Sequence, residues 1–217
     1  MKNKTLLIAA AALAAGVISS EAQVYSANVV GYANVVIPGA GAYSLISNPF
    51  DDGNGNQLTN LVNSLPNKSS VTTWNGAGYD TSITKISGVW NGNTVLAPGT
   101  GFFVKNGTAT SPNITNTFVG TVVAPSGGSV TNVLAAGYGL VGSQIPYGGD
   151  LTTDTNLNIG NVLPNKSTFT TWNTAGQTFD SSVTKIGGVW NGSVSVNVGQ
   201  GVFINAKTGT NWVEVLP

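Results

Sequence analysis

The chain contains no cysteine and no histidine, and its eight basic side chains are all lysines. These absences exclude much chemistry before any motif is sought. Without cysteine there is no disulfide, no thiol nucleophile and no thiolate metal site. Without histidine there is no imidazole base or imidazole ligand, so most hydrolase triads and most zinc sites fall away. Without arginine there is no guanidinium clamp for phosphate or carboxylate. Charge is scarce altogether: 7% of residues are charged, and eight basic side chains balance eight acidic ones. A neutral surface gives no electrostatic footprint for nucleic acid and no attraction to an anionic membrane surface. Nothing in the remaining inventory calls for a cofactor.

What is abundant is apolar and small. Hydrophobic residues make up 41% of the chain and there are 29 glycines, so low charge here does not mean disorder, which needs low hydrophobicity. The polar remainder is dominated by Asn, Thr and Ser, a composition that favours strands joined by tight turns. At the amino terminus, Lys2 and Lys4 precede the uncharged apolar run Leu6–Val17, and Ser20-Glu21-Ala22 follows with small residues at the cleavage positions. That order reads as a secretory signal peptide over 1–22; the run is shorter than a membrane span requires. The expectation is an exported chain beginning at Gln23, secreted or at the cell surface, with no membrane span after cleavage. Lacking disulfides, such a chain is held by its core alone.

The dominant feature is an internal repeat. Leu65-Pro66-Asn67-Lys68-Ser69 recurs as Leu163-Pro164-Asn165-Lys166-Ser167, followed by Thr73-Trp74-Asn75 and Thr171-Trp172-Asn173. After a short insertion in the second copy, Asp80–Gly92 matches Asp180–Gly192, including Val89-Trp90-Asn91-Gly92 against Val189-Trp190-Asn191-Gly192. Gly99-Thr100-Gly101-Phe102-Phe103-Val104 matches Gly199-Gln200-Gly201-Val202-Phe203-Ile204, and Tyr43-Ser44-Leu45-Ile46 aligns more weakly with Tyr138-Gly139-Leu140-Val141. The copies meet near Pro125-Ser126-Gly127-Gly128-Ser129, turn and linker chemistry short enough for the two to touch. This divides the chain into a first β-repeat domain, 23–123, and a second, 124–217.

Local patterns place the elements. Val24–Ile37 reads as one bent strand or two short ones, and Tyr43–Ser47 as a strand with Tyr43, Leu45 and Ser47 on one face. Leu58, Leu61, Val62 and Leu65 share a helical face that Pro66 ends; in the second copy Gly160 predicts a shorter helix or none. Asn91-Gly92 and Asn191-Gly192 predict two-residue hairpin turns. Phe102-Phe103-Val104 and Val202-Phe203-Ile204 are apolar on both faces and predict central strands, with Gly99 and Gly101 allowing a bulge or a close backbone approach. Asn113–Val123 and Trp212–Leu216 supply the closing strands. The fold class is therefore all-β: two tandem homologous small β-sandwich or barrel-like domains, five to seven short strands each, with at most one short helix apiece.

The remaining chemistry is carboxylate, lysine and hydroxyl. Paired carboxylates cleave glycosides, and the candidates are Asp51, Asp52, Asp80, Asp150, Asp154, Asp180 and Glu214; Asp80 and Asp180 read more simply as turn caps. Asp52-Gly53-Asn54-Gly55-Asn56 spaces oxygen atoms as a calcium loop does, but Asn63 stands where the bidentate glutamate belongs, so no metal site is assigned. Trp74, Trp90, Trp172, Trp190 and Trp212 either fill small cores or offer ring faces to sugar. The candidate binding residues are Trp74, Asn75, Trp172 and Asn173, one aromatic platform per repeat.

Val24-Tyr25-Ser26-Ala27-Asn28-Val29-Val30-Gly31-Tyr32 directly after a signal peptide, then Tyr43-Ser44-Leu45-Ile46-Ser47-Asn48-Pro49, Thr73-Trp74-Asn75 and Pro98-Gly99-Thr100-Gly101-Phe102-Phe103-Val104, resemble the secreted, duplicated β-rich proteins of Verrucomicrobia-type bacteria. The second copy departs from the pattern at Gly142-Ser143-Gln144-Ile145-Pro146. The resemblance implies export and duplication and supplies no catalytic residue. Taken together, the sequence predicts a non-catalytic extracellular or cell-surface protein with a structural or adhesive role. The alternatives are a carbohydrate-binding protein and a fibre subunit. Its expected partners are extracellular polysaccharide or other surface proteins.

Overall fold

A computed structural model describes residues 30–124 and 128–217; the signal-peptide reading, Val24–Val29 and most of the inter-repeat linker lie outside them. The first repeat runs β1 (Val30–Ile37), β2 (Tyr43–Ser47), α1 (Leu58–Leu61), β3 (Ser70–Thr72), β4 (Ile83–Ile86), β5 (Val89–Trp90), β6 (Gly101–Lys105) and β7 (Ile114–Thr121). The second runs β8 (Ser129–Leu134), β9 (Gly137–Val141), β10 (Gly149–Asp150), α2 (Ile159–Val162), β11 (Thr168–Thr170), β12 (Trp172–Asn173), β13 (Thr178–Phe179), β14 (Val183–Ile186), β15 (Val189–Trp190), β16 (Ser195–Val196), β17 (Val202–Ala206) and β18 (Thr210–Val215). The protein is all-β, and its strands do not close into a barrel.

Each repeat has the same two layers. A five-stranded antiparallel sheet, β2-β6-β3-β4-β5 in the first copy and β9-β17-β11-β14-β15 in the second, lies against a two-stranded ribbon, β1-β7 or β8-β18. The ribbon alternates as period-two side chains demand: Ala33 and Ile37 point inward while Tyr32 and Val36 face solvent. Between the layers sit two cores. One gathers Ile37, Phe50, Leu58, Leu65, Phe102 and Phe118; the other gathers Leu151, Ile159, Phe169, Val202, Ile204 and Trp212. β1 is paired along its whole length with β7, so the strand that a fibre subunit would leave open is used within its own repeat over residues 30–37.

Several local expectations shift. The hairpin turns are not Asn91-Gly92 and Asn191-Gly192. The register Lys85–Trp90 and Ile86–Val89 puts the turn at Ser87-Gly88, and its counterpart at Gly187-Gly188. Both central residues take positive φ there, 50° and 85° in the first copy and 60° and 87° in the second, as a type I′ turn requires. Asn91 instead prolongs the ladder: its side-chain oxygen accepts the Thr84 N–H at 2.7 Å while its own N–H donates to the Thr84 carbonyl. The second-copy helix, expected to shorten around Gly160, is as long as the first. Gly160 is buried, and a Cβ there would stand 2.5 Å from the Leu151 and Thr152 carbonyl oxygens; close packing, not helix propensity, decides that position. The second repeat also has more strands than expected. Two-residue pairings such as β12-β13 form in it where the first repeat has an isolated bridge, Trp74–Tyr79.

The repeated Leu-Pro-Asn-Lys-Ser motif turns out to be a bracket. Lys68 and Lys166 occupy the left-handed region, the Asn67 and Asn165 side chains accept the Gly88 and Gly188 N–H of the hairpin turns, and the Ser69 and Ser167 hydroxyls accept the N–H of Gly107 and Lys207. The buried lysines Lys85 and Lys185 reach back to the same region. Lys85 Nζ donates to the Asn63 and Leu65 carbonyls at 2.7 and 3.0 Å, and Lys185 Nζ to those of Gly160, Asn161 and Leu163. Each ammonium thus satisfies carbonyls left open where a short helix ends, with the Trp90 or Trp190 ring beside it.

Candidate functional site

The two repeats meet through their Gly-x-Gly segments. The backbone of Ile46 bridges to Gln200, and that of Thr100 to Val141. A Cβ on Gly101 would sit 2.8 Å from the Val141 nitrogen, and one on Gly201 2.8 Å from the Ile46 oxygen. The close backbone approach expected at these glycines is therefore the joint between copies. Beside it Leu45, Phe103, Leu140 and Phe203 form a third apolar cluster, because the middle residue of each continuously apolar strand points away from its own core.

Trp74 and Trp172 close this joint reciprocally. Trp74 Nε1 donates to the Tyr138 carbonyl of the second repeat, and Trp172 Nε1 to the Tyr43 carbonyl of the first, both at 2.9 Å. Trp74 meets Phe203 edge to face at 5.3 Å, and Trp172 meets Phe103 likewise at 5.2 Å. Asn75 and Asn173 shape the turns that carry these rings. The Asn75 side-chain oxygen accepts the Ala77 and Gly78 N–H groups, and its amide donates to Asp80; Asn173 bonds Gly176 and Asp180 in the same way.

Around the joint open two clefts that are copies of each other. The first, about 350 Å³, is lined by Tyr43, Thr72, Asp80, Ser82 and Phe103 together with Trp172 and Phe179 of the other repeat. The second, about 420 Å³, is lined by the counterparts Tyr138, Thr170, Asp180, Ser182 and Phe203 together with Trp74 and Tyr79. Tyr79 and Phe179 border both clefts, so the two adjoin. Tyr79 is 49% exposed and Phe179 41%, a large open area for aromatic rings. What burial Tyr79 does have raises its phenol above the ordinary value. One wall is hydroxylic: Thr72 and Ser82 are 2.6 Å apart, Thr170 and Ser182 2.7 Å. Asn75 and Asn173 line neither cleft.

The carboxylates are engaged locally. Asp80 accepts the Thr73 hydroxyl and the Asn75 amide, which hold its carboxyl below the usual range. Asp52 accepts the Asn54 and Asn56 N–H groups, and Asp51 the Gly53 N–H. Among the described residues there is no group of three acidic side chains placed to hold a metal ion.

Sequence reasoning picked the two tryptophans of the joint and missed the rings beside them. Tyr79 and Phe179 are aligned by the repeat, each directly before Asp80 or Asp180. An aromatic residue retained at one position of both copies was the available signal. No protein-family model, curated protein or solved structure matches the chain.

Proposed function

We propose that this chain is an exported, non-catalytic adhesive protein whose paired aromatic clefts bind a neutral, hydroxyl-rich ligand of the carbohydrate class. The observation that carries the reading is the doubling of the cleft: exposed rings beside a Thr-Ser hydroxyl pair and an Asp, once per repeat. Ligand sites are concave and mostly apolar, with a few placed polar groups, and an exposed aromatic patch rimmed by polar residues marks an interaction surface. The platforms of this reading are Tyr79 and Phe179, with Trp74 and Trp172 as walls. Near-zero net charge favours a neutral ligand, and the resemblance to secreted duplicated proteins of Verrucomicrobia-type bacteria supports an extracellular setting.

The test is a glycan array with polysaccharide pull-down, using the chain from Gln23 and its Tyr79→Ala/Phe179→Ala variant. Two lost rings, each worth about 0.5–1.5 kcal/mol, predict a fall in affinity of roughly 5- to 150-fold. Failure to bind any glycan, or binding indifferent to the double substitution in a folded variant, refutes the assignment.

A further inference from the structure

The contacts between the two repeats are reciprocal. The Ser47 N–H donates to the Gly199 carbonyl at 2.8 Å, and the N–H of its counterpart Gly142 donates to the Gly99 carbonyl at 2.9 Å. Ile46 bridges Gln200 as its counterpart Val141 bridges Thr100. The indoles cross in the same exchange, Trp74 to Tyr138 and Trp172 to Tyr43. Contacts that recur with the roles of the two units exchanged are those of a twofold axis; repeats stacked head to tail would show each contact once. The counterparts Phe103 and Phe203 stand 6.5 Å apart, so the axis passes between them.

That axis decides how the two clefts relate. They adjoin at Tyr79 and Phe179, each of which meets both Phe103 and Phe203 at 5.6–6.3 Å between ring centroids. The clefts therefore flank one axis, and a direction taken across the first is reversed in the second. Their chemistry is repeated with them: a Thr72–Ser82 hydroxyl wall in one, a Thr170–Ser182 wall in the other. At about 350 and 420 Å³, each has room for a small ligand of its own. A glycan chain is directional, with a reducing and a non-reducing end. A single chain laid across both clefts would meet one hydroxyl wall forwards and the other backwards. Two chains of opposite sense meet both walls alike.

We propose that the protein bridges two neutral glycan chains, one in each cleft and running in opposite directions, and so ties polysaccharide strands together. The joint is made of backbone bridges and crossed indoles, which hold the two clefts in a fixed relation. Two sites on one body join separate polymer chains without any further contact between proteins. The inference rests on the carbohydrate reading for the class of ligand. It adds the number of chains held, their relative direction and the cross-link that follows.

The test uses the chain from Gln23 with β-linked trisaccharides of glucose, xylose and mannose, and with soluble polymers of the same sugars. Calorimetry counts the trisaccharides bound per chain, light scattering follows clustering of the polymer, and sedimentation gives the state of the free chain. Two variants each strip the hydroxyl wall from one cleft, Thr72→Val/Ser82→Ala and Thr170→Val/Ser182→Ala, with the fold checked by circular dichroism. The expected result is two trisaccharides per monomeric chain and polymer clusters that excess trisaccharide disperses. Each variant should bind one trisaccharide as the parent does and the second about tenfold more weakly, for the loss of two hydroxyl contacts, and should cluster polymer less. Binding of one trisaccharide per chain with the polymer left dispersed overturns the bridging and leaves the carbohydrate reading standing. Clustering by a chain that binds one trisaccharide and sediments as a dimer also overturns it, because a second copy then supplies the bridge. No binding of any of these sugars overturns both.

Discussion

Glu214 should make the protein less stable as pH rises from mildly acidic to neutral. It lies on the inner face of β18, wholly buried and paired across the ribbon with Val130, where the register places Phe118 in the first repeat. One carboxyl oxygen accepts the Gln144 N–H at 2.9 Å; the other has no partner among the described residues. Burial pushes the pKa from 4.5 up to about 7, against the opposing pull of the Gln144 N–H, and no charged neighbour contributes. Below pH 4.5 the folded and unfolded chains both hold the proton, and the full stability is present. Between 4.5 and 7 the unfolded chain releases it while the folded chain does not, so stability falls by up to about 3 kcal/mol, at ~1.4 kcal/mol per pH unit. Glu214→Gln keeps the shape and an acceptor while removing the proton. The variant should match the parent near pH 4.5 and exceed it by about 3 kcal/mol at pH 8, roughly 6–12 °C in Tm for a chain of this size. Urea unfolding followed by tryptophan fluorescence across pH 4.5–8 measures the difference. A gap between the two proteins that does not grow with pH, or a glutamine variant less stable at pH 8, refutes the reasoning.

Two further outcomes test the joint and the brackets. Gly101→Ala forces a Cβ against the Val141 backbone nitrogen and should cost about 1–3 kcal/mol as an overpacked contact; a urea midpoint within error of the parent would show that the copies do not approach as described. Lys185→Met strands three carbonyls that its ammonium now satisfies and should cost about 1–3 kcal/mol. An equally stable methionine variant would deny the lysine its capping role.

The stability profile has an acid limb as well. Asp150 and Asp154 are raised by burial, but hydrogen bonds outweigh it: those from Ser193, Thr152 and Val194 lower the first, and those from Leu157, Tyr147 and Asn156 the second. A carboxylate with a lowered folded pKa contributes stability above its unfolded value and loses it as pH falls through the folded one. These aspartates and Glu214 therefore act from opposite ends.

Strands such as Tyr43–Ser47 and the apolar cores of β6 and β17 were legible in the sequence because their information is local. Alternation, turn residues and continuous apolar runs act within a few positions, and the duplication made each signal visible twice. The glycines of the Gly-x-Gly segment were legible as sites of close approach, though not what approaches them. Only tertiary structure decided that the neighbour is the other repeat, that Trp74 and Trp172 cross to each other's partner, and that Lys85 and Lys185 point inward. It also decided that Ser87-Gly88, not Asn91-Gly92, makes the turn. For the joint and the lysines the deciding contact joins residues distant in the chain; for the turn it is the local register of Ile86 with Val89. A type I′ turn can be read at either dipeptide, and pairing register chose between them. An indole can face solvent or a neighbouring carbonyl, and only the packed second copy supplies the carbonyl. The composition left the surface almost without charge, while the meeting of two copies created the clefts.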